Sequence, residues 1–112
     1  VQYLLAVDRN NDALGDLYSP LHPGVLRLLA HVLRAGAEHR MPVAVCGEMA
    51  GDPRLAPLLL ALGLREFSLH PAGLLELRRT IRECDLARLQ ERAPRLLQAR
   101  DRRGIERWLE SA

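Results

Sequence analysis

The chain has no lysine, only four aromatic residues and no long apolar run. All sixteen basic residues are arginine, which we attribute to the codon bias of a GC-rich genome. Charged residues or proline interrupt every leucine-rich stretch, so none approaches the ~20 residues that a membrane-spanning helix requires. A net charge of +2 is too small by itself to imply a polyanionic partner. With 48% hydrophobic and 27% charged residues among 112, the composition predicts one modest soluble globular domain.

A secretory leader and metal-binding motifs are also missing. The chain begins at Val1 without methionine or a charged and then apolar leader, so we expect it to be a piece of a longer protein. Without a secretion signal, Cys46 and Cys84 are expected to be reduced thiols in the cytoplasm. The four histidines have no metal-ligand spacing, and neither CxxC nor HExxH occurs. We therefore expect no metal site made by these residues.

Hydrophobic periodicity predicts alternating helices and strands. Residues 1–22 are typical of loop and a one-turn helix, and a helix should run from Pro23 to about Arg40. The valine-rich PVAVC predicts a strand buried on both faces. The remaining expected elements are a helix at 55–62, a strand at 65–69, a helix from Pro71, and two final helices at about 86–99 and 102–109. This order predicts an α/β fold with right-handed βαβ units and a parallel sheet, about two units of an eight-stranded barrel.

The loop after PVAVC is the first candidate site. Ligands of parallel α/β folds bind at the carboxyl ends of the strands, where Cys46, Gly47 and Glu48 lie. Composition alone favours Cys46 as a buried structural thiol over a reactive one, because free cysteine is among the most buried residue types. Glu48 could be a base or an anchor for a neighbouring group, although a salt bridge is the favoured interpretation.

Two arginine-containing segments offer further candidates. Arg9 could clamp an oxyanion, because a guanidinium has a fixed charge and a planar fork, but an ion pair with Asp8 or Asp12 is favoured. The C-terminal segment holds ten arginines against five acids between Arg78 and Arg107. Without interleaved aromatics, a solvated helix surface with i,i+4 ion pairs is favoured there over a nucleic-acid interface.

Four segments together resemble a known family. QYLLAVDRNND, LYSPLHPGVLR, CGEMAGDP and LLLALGLREFSL are similar, in order and spacing, to the C-terminal phosphoenolpyruvate-binding domain of Enzyme I of the bacterial phosphotransferase system. The similarity extends from Gln2 to Leu77. DRNN in place of DRGN leans towards the nitrogen-related paralogue.

The resemblance implies a fold and a reaction. The fold would be a C-terminal fragment of a (β/α)₈ barrel, about strands 7 and 8, with residues 1–84 as the partial barrel and 85–112 as a helical tail. The parent enzyme would use phosphoenolpyruvate and Mg²⁺ to phosphorylate its own histidine, then pass the phosphoryl group to the phosphocarrier HPr or its nitrogen-branch equivalent, and release pyruvate. It would be a cytoplasmic homodimer with no nucleic-acid or membrane partner.

The resemblance also assigns residues. Arg9 would bind phosphoenolpyruvate, and Cys46 would donate the proton that converts the pyruvate enolate to pyruvate. Gly47 and Glu48, from their position in the same loop, are candidates to support them. The metal ligands, the other phosphate-binding arginines and the phosphorylated histidine are expected upstream of Val1, so the fragment alone should be inactive. The alternative is a non-catalytic dimerisation or regulatory module derived from the same domain.

Overall fold

The computed structural model describes residues 1–8, 10–14 and 19–112. Short 3₁₀ turns at Asp12–Leu14, Pro53–Leu55 and Pro71–Gly73 join the regular elements. The helices and strands are α1 (Gln2–Leu5), α2 (Pro23–Glu38), β1 (Ala44–Cys46), α3 (Glu48–Gly51), α4 (Ala56–Ala61), β2 (Glu66–Ser68), α5 (Leu74–Glu83), α6 (Leu86–Leu97) and α7 (Arg102–Glu110). The predicted order of helices and strands is confirmed, except that the segment CGEMAGDP, expected to be a loop, also contains the short helix α3. None of the helices described is long and apolar enough to cross a membrane.

The helix α2 begins and ends through local hydrogen bonds. The His22 side chain caps its start, because Nδ1 accepts a hydrogen bond from the Gly24 N–H at 3.0 Å. The helix stops two residues before the predicted end: Arg40 takes a left-handed conformation with φ 53°, and the Met41 N–H returns to the Gly36 carbonyl at 2.8 Å. Such a turn satisfies carbonyls that the last helical turn would leave unpaired.

The sheet contains two parallel strands in direct register. Val45 pairs with Phe67, and Cys46 pairs with Ser68. Alternation places Val45 and Phe67 on the face that packs against the hydrophobic core, while Cys46 and Ser68 lie on the other face and are exposed. The prediction that the first strand is buried on both faces is therefore wrong for this chain. The described helices cover one face of these two strands, and no described element covers the other.

The hydrophobic core forms around α4. Five of its six residues are buried, which include Leu58 and Leu59 at 0% exposure. Leucines of α2 and α6 and the 3₁₀-turn residue Leu55 pack in the same cluster, as do Ile105 and Trp108 of α7. The division at residues 84 and 85 remains a prediction, but the two segments share one core.

The last two helices are joined by Arg92 and Trp108. Indole Nε1 donates to the Arg92 carbonyl at 3.0 Å, and Arg92 Nη2 donates to the Trp108 carbonyl at 3.2 Å. The guanidinium carbon also lies 4.9 Å from the centroid of the indole ring, within the range of a cation–π interaction. Together these contacts set how α7 lies on α6.

We predict that Gly36→Ala destabilises the fold. A Cβ at this position would lie 2.5 Å from Val43 Cγ2 and 3.0 Å from the Met41 carbonyl oxygen. Overpacking lowers the free energy of unfolding by about 1–3 kcal/mol, whereas the higher helix propensity of alanine raises it by about 1 kcal/mol. We therefore expect a net loss of stability. Unfolding in urea measures this change in the free energy of unfolding. Gly73→Ala is the control, because its nearest contact would be an ordinary 3.5 Å to Leu69. Equal stability of the two variants would contradict the close approach at Gly36.

We also predict that Trp108→Phe destabilises the fold by about 1–3 kcal/mol, because the partly buried Arg92 carbonyl loses the indole donor and the smaller ring leaves space in the core. Thermal unfolding of the variant should show a lower midpoint. Arg103→Ala, an exposed change on the same helix, should leave the midpoint unchanged. A Trp108→Phe midpoint equal to that of the unsubstituted protein would mean that α7 is not held by this contact.

Candidate functional site

An open cavity of about 760 Å³ lies where the two strands end. The loops that follow β1 and β2 form its walls, as expected for the carboxyl edge of a parallel sheet. Its lining residues are Cys46, Gly47, Glu48, Gly51 and Asp52 from the end of β1 and the segment after it, and Ser68, Leu69, His70 and Gly73 from the end of β2 and the segment after it. The structure thus brings three predicted site residues, Cys46, Gly47 and Glu48, together in one cavity.

Cys46 is the last residue of β1 and is exposed. Composition favoured a buried structural thiol, and that interpretation is wrong here. The reason lies in the alternation of the strand: Val45 takes the core-facing position, so the thiol of the next residue lies on the opposite face, beside the cavity. A thiol in this position can contact a ligand.

Gly47 connects the strand to α3 through an unusual backbone conformation. Its φ of 81° and ψ of −159° lie in a region that is essentially restricted to glycine. A Cβ there would meet no atom within 4 Å, so the requirement is conformational and not steric. The glycine therefore allows the chain to turn directly from Cys46 into the short helix that carries Glu48.

Glu48 is exposed and lies in the first turn of α3. The favoured expectation of a salt bridge is wrong as far as the structure describes the chain, because Glu48 forms no ion pair with a described residue. The ion pairs among the described residues are Arg54–Asp52, Arg79–Glu83 and Arg102–Glu106. The latter two have the i,i+4 spacing expected of a solvated arginine-rich helix surface.

Asp52 is held by the arginine that follows it. Its Oδ1 accepts from the Arg54 backbone N–H at 3.0 Å and from Nε at 3.1 Å, and its Oδ2 accepts from Nη2 at 2.8 Å. The guanidinium hydrogen bonds lower the pKa of the Asp52 carboxyl, with partial burial opposing them. Asp52 is therefore charged at neutral pH, and its hydrogen bonds fix the exit from α3.

Ser68 and His70 were not predicted as site residues. Ser68 is the register partner of Cys46, and His70 lies two residues further along the same loop. The sequence did contain a signal for His70, which is its position immediately before Pro71 at the start of a predicted helix. In the structure its Nδ1 caps that turn by accepting a hydrogen bond from the Ala72 N–H at 3.2 Å. Nothing local in the sequence indicated that Ser68 would lie opposite Cys46, because strand register is a tertiary property.

Arg9, the predicted substrate-binding residue, lies outside the described residues. The lining residues that are described contain two carboxylates and no arginine. They also do not make a site for Mg²⁺: no group of three or more potential ligands occurs among the described residues, and one of the two cavity carboxylates is already paired with Arg54. This part of the chain therefore supplies a thiol and hydrogen-bonding groups, without the charges that bind a phosphate.

Comparison with known proteins identifies the family. The family described as "PEP-utilising enzyme, PEP-binding domain" matches residues 1–86. A phosphoenolpyruvate-protein phosphotransferase of Cupriavidus necator is 50% identical over 101 residues, which are 90% of this chain and 17% of the relative. One of Streptococcus equinus is 41% identical over 87% of the chain and 17% of its own length.

A third relative, from Escherichia coli K12, is described as "Phosphoenolpyruvate-dependent phosphotransferase system". It is 40% identical over 98 residues, 88% of this chain, and the match covers 13% of its own length. The chain thus spans less than a fifth of the length of each of these three relatives. The resemblance inferred from the sequence is confirmed: the chain belongs to the family of PEP-utilising enzymes, and its residues 1–86 match the PEP-binding domain of that family.

Proposed function

We propose that the chain is the C-terminal part of a phosphoenolpyruvate-protein phosphotransferase and that Cys46 protonates the enolate of pyruvate. The observation that carries the proposal is the exposed thiol at the end of β1, beside an open cavity, in a chain of this family. Phosphoryl transfer from phosphoenolpyruvate leaves an enolate, which requires a proton at its methylene carbon. A thiol at the carboxyl edge of the sheet is suitably located to supply it.

We also propose that the two strands are strands 7 and 8 of a (β/α)₈ barrel. Support comes from the one-sided packing: Val45 and Phe67 pack on the core, whereas the opposite face of both strands is exposed. In a complete barrel that face would point inwards and pack against side chains from the remaining strands, while its carboxyl end, where Cys46 lies, would open onto the substrate site. The parent protein would supply those strands and cover the open sheet edges.

The proton transfer is a simple general-acid step. The general acid is the Cys46 thiol in its protonated form. The S–H bond of Cys46 breaks, a C–H bond forms at the methylene carbon of the enolate, and the bonding electron pair stays on sulfur as a thiolate. Water then returns a proton to the thiolate, so that pyruvate leaves and the enzyme is restored.

Of the two cysteines, Cys46 suits this role better than Cys84. The Cys84 thiol follows α5 and donates a hydrogen bond to the Thr80 carbonyl at 3.2 Å. Partial burial, with the charge of Glu83 adding to it, raises the pKa of that thiol. Cys84 also does not line the cavity at the strand ends, so it is best explained as a structural residue.

The remaining components of the reaction belong to the proposal. As the resemblance implies, Arg9 would bind phosphoenolpyruvate, and its guanidinium would offset part of the charge of a trianionic substrate. Mg²⁺ would be held by residues outside this chain and would offset the charge of the phosphate and enolate. The parent would be a cytoplasmic homodimer that phosphorylates HPr or its nitrogen-branch equivalent, and the nitrogen branch remains the prediction from DRNN.

Cys46→Ala should slow pyruvate formation by the full-length enzyme about 10²–10⁴-fold, the usual contribution of a positioned general acid. The measurement is steady-state release of pyruvate from phosphoenolpyruvate in the presence of the phosphocarrier. Cys84→Ala is the matched control and should keep the rate of the unsubstituted enzyme. A Cys46→Ala enzyme with normal turnover would contradict the assignment and favour the non-catalytic alternative.

The two thiols should also differ in reactivity. At pH 8, iodoacetamide should modify Cys46 roughly tenfold faster than Cys84, because alkylation requires an accessible thiolate and burial disfavours that form at Cys84. Mass spectrometry of the modified peptides follows each site. Denaturation should abolish the difference, since both cysteines then have the same solvent exposure. Equal native rates would show that Cys46 is not selectively accessible.

A further inference from the structure

The tripeptide Leu-His-Pro occurs twice, at residues 21–23 and 69–71. Both histidines precede a helical turn that begins with proline, and both cap it in the same way. Nδ1 of His22 accepts from the Gly24 N–H at 3.0 Å, and Nδ1 of His70 accepts from the Ala72 N–H at 3.2 Å. As caps the two residues are equivalent, so any further role of one of them must come from its location.

Their locations differ. His70 lines the cavity that also contains Cys46, whereas His22 lies at the start of α2 and lines a separate cavity with Arg27 and Arg100. The strand register explains the placement of His70: Ser68 pairs with Cys46, and the chain leaves β2 into the cavity wall within two residues. A tertiary contact therefore distinguishes two residues that the local sequence makes alike.

The cap fixes which ring nitrogen of His70 can act as a donor. Because Nδ1 accepts a hydrogen bond from a backbone N–H, the proton of the neutral imidazole must be on Nε2. In the part of the chain that the structure describes, no protein atom accepts a hydrogen bond from Nε2. The exposed ring can therefore offer this N–H to a ligand in the cavity.

We propose that His70 binds the substrate, with Nε2–H donating a hydrogen bond to an anionic oxygen of the three-carbon acid beside Cys46. This inference rests on the proposed function. The other ionisable groups among the described lining residues are Cys46 and the carboxyls of Glu48 and Asp52. The carboxylates would repel an anion, so an N–H donor in the same wall offsets part of that repulsion.

The proposed contribution of His70 is electrostatic and transfers no proton. Charge develops on the enolate oxygen as the phosphoryl group leaves, and an N–H donor in the cavity wall would stabilise that charge. The proton that reaches the methylene carbon still comes from Cys46. The backbone hydrogen bond at Nδ1 holds the ring by its other side and keeps it in one orientation, which is the arrangement that a positioned donor requires.

The test uses the full-length enzyme and oxalate, a planar dianion of about the size of enolpyruvate. Oxalate should protect Cys46 from alkylation by iodoacetamide, and His70→Ser should raise the oxalate concentration for half-protection about tenfold, the effect of losing one charge-assisted hydrogen bond. Serine is itself a good N-cap, so the helical turn is preserved. His70→Asp, which also keeps the cap but adds a negative charge, should weaken protection further.

His22→Ser is the matched control, because it makes the same change at the other Leu-His-Pro and should leave protection and pyruvate formation unchanged. The inference is overturned if the oxalate concentration for half-protection of His70→Ser lies within twofold of that of the unsubstituted enzyme. It is also overturned if His22→Ser shows the same loss of protection as His70→Ser. A failure of oxalate to protect Cys46 in the unsubstituted enzyme would contradict the proposed function, and this inference with it. If Cys46→Ala turns over slowly but oxalate protects His70→Ser as well as it protects the unsubstituted enzyme, the proposed function stands and only the role of His70 is refuted.

Discussion

Burial of α4 is the constraint on which the rest of the structure depends. A helix of six residues is too short to be stable in water by itself, and five of these six are apolar side chains removed from solvent. Each fully buried leucine contributes about 1.5–3 kcal/mol, so neighbours on several sides are required. The helices α2, α6 and α7 supply them. Residues of the C-terminal segment are therefore part of the core that supports the two strands.

The same packing makes the sheet one-sided. Because Val45 and Phe67 face the core, their strand neighbours Cys46 and Ser68 must lie on the open face. One-sided packing places the thiol at the cavity and exposes it at the same time. A chain that buried both faces of its first strand would have enclosed Cys46, as the valine-rich sequence suggested. The exposure of Cys46 thus follows from the alternation of side chains along β1 and from the side on which the helices pack.

Local backbone devices then shape the cavity walls. Gly47 turns the chain after β1, the pair of Asp52 and Arg54 ends the short helix that follows, and His70 begins the turn after β2. Each is a short-range interaction that stabilises a loop. Together they bring groups from two separated segments to one cavity. Loops held in this way can present side chains to a ligand with little conformational freedom left to lose.

The sequence alone determined the order of the elements, the family and the residues of the first loop. Periodicity located α2 and the two final helices, because those helices bury one apolar stripe each, and the motif CGEMAGDP located Cys46, Gly47 and Glu48. Element ends were less accurate, as at Arg40, where a left-handed residue stops the helix early. Only the tertiary structure decided that Cys46 is exposed, that Ser68 lies opposite it, and that His70 shares its cavity while His22 does not. Periodicity reports which side of an element is apolar, but which groups meet across two segments depends on strand register and packing, and neither is encoded within a single segment.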